Sequence, residues 1–172
     1  MTDKRQLNLL PNMLLEWNPI EGKNGNKPVI ERVLDFDLTT DEVVMIDILD
    51  PHAFPALRSY GAIQQAYQGS AVVVRENDPF AQLLIPEEKI SLKQRQRRDA
   101  AWQEISPLIK ERTKESLLYS ANRGSLINAH RIATKRQNKD GTFSTLSKTT
   151  ANKRLRRWWQ SGRRKNAFLS NF

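Results

Sequence analysis

The side chains best suited to chemistry crowd the end of the chain. From Ser147 to Phe172 stand eight lysines and arginines, two threonines and four carboxamides, and no carboxylate. Ammonium and guanidinium groups neutralise phosphates, whereas hydroxyls and carboxamides hydrogen-bond base edges. An ordinary solvated helix mixes charges of both signs, so the missing acids point to a polyanion. At about 100° per residue, Ala151, Leu155, Trp158 and Gly162 share one narrow sector, with Trp159 at its edge. That stripe is the expected core face. Thr149, Lys153, Arg156 and Gln160 lie opposite, Arg157 is close by, and Thr150 and Asn152 flank them. The Trp158-Trp159 pair resembles a stacking platform for single strands, but the place of Trp158 on the apolar stripe favours packing.

Other chemistries find little support. Asp35 and Asp37 share a strand face at i, i+2, with Asp47 and Asp50 nearby, and could hold a divalent cation. No adjacent lysine completes a nuclease-like pattern, and strand carboxylates are commonly just solvated. His52 and His130 are isolated, and the chain has no cysteine. Thiolate zinc sites, disulfides and cysteine nucleophiles are therefore absent. No glycine motif for phosphate is found. The expectation is a chain with no catalytic residue, metal ligand or cofactor of its own.

The basic stretch needs elements to hold it. Ser147 is suited to cap a helix that Gly162 ends. Upstream, Ser91 to Arg112 has helical spacing, with Trp102, Ile105, Leu108 and Ile109 on one face and Pro107 expected to kink or divide it. A second helix is expected from a cap at Ser120 to about Gln137, with Leu126, Ile127, Ala129 and Ala133 inward. A polar loop around Asp140-Gly141 follows. Three helices with a turn before the third make the helix-turn-helix plan, in which the start of the last helix reaches the bases. That plan assigns Thr149, Thr150, Asn152, Lys153 and Arg156 to base readout. It assigns Lys148, Arg154, Arg157, Arg163, Arg164 and Lys165 to phosphates. Lys93, Arg95, Arg97 and Arg98 form a second cluster, either on the DNA backbone or on a solvated face.

The 172 residues suit one medium domain or two small ones. The net charge is +9, but it is unevenly spread: residues 1–86 sum to −5 and residues 87–172 to +14. This split predicts two modules, one of which faces a polyanion. Residues 1–27 read as an irregular arm. Residues 28–86 read as a small module with strands at Val29–Asp37, Glu42–Leu49 and Ser70–Arg75 and a helix from Ala56 to Gln68. Residues 87–172 read as the helix-turn-helix domain. The fold class is α+β, a β-hairpin module followed by a three-helix domain. No apolar run is long enough for a membrane span, and Leu7 to Leu15 is too short and Pro-broken for a signal peptide.

The stretch LSKTTANKRLRRWWQSGRRKNAFL resembles the end of the N-terminal helix-turn-helix of TnsB-type transposases, the DDE recombinases of TnsABC transposons. The matching features are Ser147-Lys148-Thr149-Thr150, Arg156-Arg157-Trp158-Trp159, Gly162 and Asn166-Ala167-Phe168. Upstream, the run from Arg75 through Asp78-Pro79 into the first helix is similar too, and so is the hairpin from Val29 to Leu49. The resemblance implies binding to repeated double-stranded DNA sites at transposon ends, with TnsA and TnsC as partner proteins, in the bacterial cytoplasm at the nucleoid. Two departures stand out. The loop Asn138 to Leu146 is longer than the family's turn and has room for a small wing. The RNase H-like catalytic domain of the family, which would bring Mg2+, does not fit before Phe172. The expectation is thus a monomeric N-terminal fragment or split product that does not itself catalyse. Two other readings compete: a dimeric helix-turn-helix transcription regulator that binds a palindrome, and a small metal-dependent nuclease using the hairpin acids.

Overall fold

The computed structural model describes residues 6–19, 28–110 and 117–169. Two compact units are present, Met1–Ala81 and Gln82–Phe172. An antiparallel sheet in the first and helices in the second make the fold α+β.

The first unit is built on five strands: β1 (Leu14–Trp17), β2 (Val29–Asp37), β3 (Glu42–Asp47), β4 (Ala56–Ser59) and β5 (Val72–Arg75). Their order is β4-β3-β2-β1-β5, with every neighbour antiparallel. β2 and β3 are the expected hairpin, because both are rich in β-branched and apolar residues. Helix α1 (Tyr60–Gln68) covers one face. Leu7, Leu9, Leu15, Val33, Val43, Met45, Ile63 and Val72 form the core there, and Leu14, Ile30 and Ile48 cluster separately with Phe80. Buried Arg32 ties the segment after β5 to the sheet. Its Nη2 donates to Asp78 Oδ1 at 2.8 Å, its Nη1 donates to the Asn12 carbonyl at 3.2 Å, and its guanidinium lies over Phe80.

Two expectations for this unit are corrected. Residues 1–27 are not wholly irregular: β1 lies inside the sheet, bonded to β2 on one side and β5 on the other. Four residues are too few to display strand alternation, and only the neighbours reveal the strand. The expected loop from Asn18 to Pro28 lies largely outside the described residues. The helix expected from Ala56 starts instead at Tyr60. Ala56–Ser59 has helix-tolerant side chains, but the β3 ladder draws it into the sheet. Ser59 then caps α1, its Oγ accepting from the Ala62 amide at 3.1 Å.

The second unit holds helices α2 (Leu92–Lys110), α3 (Ser120–Ala133) and α4 (Lys148–Gln160), with a two-stranded hairpin, β6 (Lys135–Gln137) and β7 (Phe143–Thr145), between the last two. Pro107 does not divide α2, which runs on to Lys110; Glu111 and Arg112 lie outside the described residues. Ser120 is the first residue of α3 and Tyr119 occupies the cap position, without a side-chain cap bond. The helix stops at Ala133, because Lys135–Gln137 is taken by the hairpin. The inward stripe of α3 is also not the one read from apolar side chains. Ala129 and Ala133 are exposed, whereas Arg123 and Ile127 are buried and His130 is half-buried. Arg123 is drawn inward by carbonyls: its Nε and Nη2 donate to Leu117 and Leu118, both at 2.8 Å, and its guanidinium lies over Trp159. His130 Nε2 meets the Glu104 carbonyl at 2.6 Å. An inward face satisfied by polar bonds carries no hydrophobic period to read.

Candidate nucleic-acid interface

Helix α4 is defined at both ends by its own sequence. Ser147 Oγ accepts from the Thr150 amide at 3.1 Å and donates to Thr150 Oγ1 at 2.8 Å. At the other end the Arg163 amide bonds the Trp158 carbonyl at 2.7 Å and the Gly162 amide bonds Trp159 at 3.1 Å. With Gly162 at φ +79°, this is a Schellman stop. The chain then turns back through a short 3-10 segment, Lys165–Phe168, and buries Ala167 and Phe168. Ala151, Leu155, Trp158 and Trp159 are buried. Trp158 packs on Trp102 with ring centroids 4.8 Å apart, and Trp102 on Phe168 at 6.4 Å. The tryptophan pair is core, not a stacking platform. Gln160, expected on the outer face, is buried instead. The last turn of α4 and the Ser161 that follows are closed in around Trp158 and Trp159, so helical angle stops predicting exposure there.

The remaining face of α4 is turned outward in graded fashion. Lys148, Thr149 and Lys153 are exposed; Thr150, Asn152, Arg154, Arg156 and Arg157 are half-buried. Thr149, Thr150, Lys153, Arg154 and Arg157 come together with Arg97 and Ala101 of α2, and with Phe168, around one depression of about 480 Å3. Four cations and two hydroxyls line it, without a carboxylate. Lys148, Asn152 and Arg156 stand on α4 outside this lining. Arg164 and Lys165 line a different depression, of about 640 Å3, with Leu83 to Glu87, Arg98 and Asn166. Arg163 is half-buried at the turn after α4, with φ +64°.

Some of the expected phosphate contacts have acidic partners within the fold. Arg154 forms an ion pair with Glu104 of α2, and Lys165 Nζ lies 2.9 Å from Asp99 Oδ1. Burial pushes the Arg154 and Arg157 guanidinium pKa values down. Both stay charged at neutral pH, since arginine titrates far above it. A phosphate entering the depression would offset the solvation that burial removes. The α2 cluster divides in a way its sequence does not reveal. Arg97 lines the depression, whereas Arg98 is 3 % exposed, which neither expectation for it allowed. Arg98 grips both Glu87 carboxylate oxygens at 2.6 and 2.7 Å, Asp99 at 2.8 Å and Asn166 Oδ1 at 2.9 Å. Asn166 in turn donates to the Leu83 carbonyl at 2.9 Å. This cross-link fastens the segment after α4 to α2 and to the chain before it.

The hairpin acids are engaged elsewhere. Asp37 accepts from the Thr39 amide at 2.9 Å and its hydroxyl at 2.6 Å, Asp47 from the Leu49 amide at 2.8 Å, and Asp50 from the His52 amide at 2.8 Å. The Thr39 hydroxyl and amide hold the Asp37 carboxyl below its usual range. Among the described residues no three of His, Cys, Asp and Glu gather as a metal site, and no helix is long and apolar enough to cross a membrane. The loop expected to have room for a small wing is part of the β6–β7 hairpin, which carries Lys135 and Lys139. The hairpin's signal is Asp140-Gly141, a hairpin dipeptide that precedes the β-prone Thr142 to Thr145.

No curated protein matches the chain. Residues 98–172 match the family model described as the TnsB second domain. The matched region contains α4, most of α2, α3, the hairpin, and the Arg98, Asp99 and Asn166 members of the cross-link, whereas Leu83 and Glu87 precede it. The family it identifies is the one that the Ser147 to Phe168 motifs resemble, and the match supports reading residues 98–172 as part of the N-terminal region of a TnsB-type transposase.

Proposed function

We propose that this chain is a sequence-specific binder of double-stranded DNA at the ends of a transposon, acting as part of a cut-and-paste transposase. The observation that carries the reading is the acid-free depression where α4 and α2 bring Thr149, Thr150, Lys153, Arg157 and Arg97 together, all but Arg97 within the residues that match the TnsB second domain. α4 lies in the major groove. Thr149, Thr150, Asn152, Lys153 and Arg156 read base edges from its first turns. Lys148, Arg157, Arg163 and Arg164 hold phosphates. Arg154 and Lys165 reach phosphate while still sharing Glu104 and Asp99. The chain binds one repeat unit as a monomer and leaves catalysis to an RNase H-like domain with Mg2+. The partner proteins are TnsA and TnsC, and the acidic first unit is the surface offered to them.

Footprinting on DNA from the ends of the encoding element tests this reading. Lys153→Ala and Asn152→Ala are each expected to cost about 1–3 kcal/mol on the cognate duplex and to relax its preference over random sequence. Unchanged affinities for both duplexes would remove α4 from the reading role. Dimeric binding to a promoter-like palindrome would support the regulator instead.

A further inference from the structure

The hairpin β6–β7 is a built surface with no role in the reading above. Register pairs Lys135 with Thr145 and Gln137 with Phe143, so these four share one face while Arg136 and Ser144 share the other. The Arg136 face is anchored. Its Nε donates to Glu104 Oε1 at 2.8 Å, and the second oxygen of the same carboxylate pairs with Arg154 on α4. One carboxylate therefore holds both the hairpin and the helix. The base is closed by the Leu146 amide on the Thr134 carbonyl at 3.2 Å.

The turn is equally fixed. Gly141 sits at φ +82°, and its amide bonds the Asn138 carbonyl at 3.0 Å. Asp140 accepts from the Thr142 amide at 3.0 Å and hydroxyl at 2.6 Å. Asn138 bonds Thr142 Oγ1 at 2.9 Å and Ser144 Oγ at 3.0 Å. Strands of three residues are marginal alone, so these bonds maintain a definite shape. They also engage Asp140, the one carboxylate between Lys135 and Phe172. The opposite face is left to solvent: Lys135, Gln137 and Thr145 are exposed and Phe143 is 66 % exposed, with Lys139 exposed in the turn. A phenylalanine held in water among lysines, an amide and a hydroxyl, on a rigid ribbon without a free acid, has the composition of a groove-binding wedge.

We propose that β6–β7 is a second duplex-contacting element, resting on the DNA-binding reading of α4. Its outer face lies against the minor groove beside the major groove that α4 enters. Phe143 makes the apolar contact there, and Lys135 and Lys139 take the flanking phosphates. Glu104 is a positioning residue that keeps hairpin and helix at one spacing.

The test uses the full chain and a duplex selected with it from a random-sequence pool, mapped by dimethyl sulfate interference. Methylation at adenine N3 reports the minor groove and at guanine N7 the major groove. The wild type is expected to show both, in adjacent patches. Phe143→Ala should lower affinity about tenfold and erase the adenine patch while the guanine patch persists. Lys139→Ala should reduce the salt slope by about one. Circular dichroism checks that both variants keep the wild-type fold. If Phe143→Ala binds as tightly as the wild type with both patches intact, the hairpin proposal is wrong and the α4 reading stands. If the wild type selects no duplex, both fall together.

Discussion

Arg163 occupies the left-handed region at φ +64°, directly after Gly162 at +79°. A non-glycine residue there costs about 1 kcal/mol or more, and such strain is often retained where a side chain is needed. Arg163→Gly separates backbone from side chain. Its expected outcome is a higher melting temperature, by about 1 kcal/mol of relieved strain, together with weaker duplex binding and a flatter salt dependence. Thermal melts and binding titrations at several salt concentrations check both halves. Unaltered binding would mean that Arg163 does not meet phosphate. Lys153 and Asn152 pose the complementary question at the start of α4, where loss should alter preference more than general affinity.

Between elements, the Arg98 cross-link couples stability to pH. The Arg98 guanidinium holds both the Glu87 and Asp99 carboxyls below their ordinary range, and Lys165 adds to the effect on Asp99. Depressed carboxylates contribute stability that is present above their unfolded pKa, near pH 4, and lost as pH falls through the folded values. The second unit should therefore melt earlier below about pH 4. Trp102, Trp158 and Trp159 are fluorescent reporters within it. Arg98→Met should lower stability by about 2–3 kcal/mol, from lost charged hydrogen bonds, and should blunt the acid response. An acid limb of the same steepness in the variant would place the titrating groups elsewhere.

For the molecule as a whole, charge and fold divide at nearly the same place. The acidic stretch 1–86 largely coincides with the sheet unit Met1–Ala81, and the basic remainder with Gln82–Phe172. Each unit buries its own apolar residues: Val33, Met45 and Ile63 in one, Ile105, Leu146, Leu155 and Leu169 in the other. Residues 82–172 produced alone are expected to fold and to retain the duplex preference of the full chain. A heat-capacity transition and a footprint on the same selected DNA check this. Loss of preference with folding intact would give the first unit a share in recognition.

What could be read from sequence was set by local chemistry. Helix α4 was legible because cap, period and stop coincide in Ser147, the Ala151-Leu155-Trp158 stripe and Gly162, and each acts within a few residues. The β2–β3 hairpin was legible for the same reason. The charge split and the acid-free tail needed no fold at all. Tertiary structure decided whatever depends on distant partners. β1 is a strand because β2 and β5 flank it, and Ala56–Ser59 is one because β3 does. Arg98 and Arg154 read as free cations, yet Glu87 and Glu104 claim them from 11 and 50 positions away. Charge along a chain is fixed by its residues, but pairing requires two segments to meet in space, so the basic face was written in the sequence and the choice of cations left facing solvent was made by the fold.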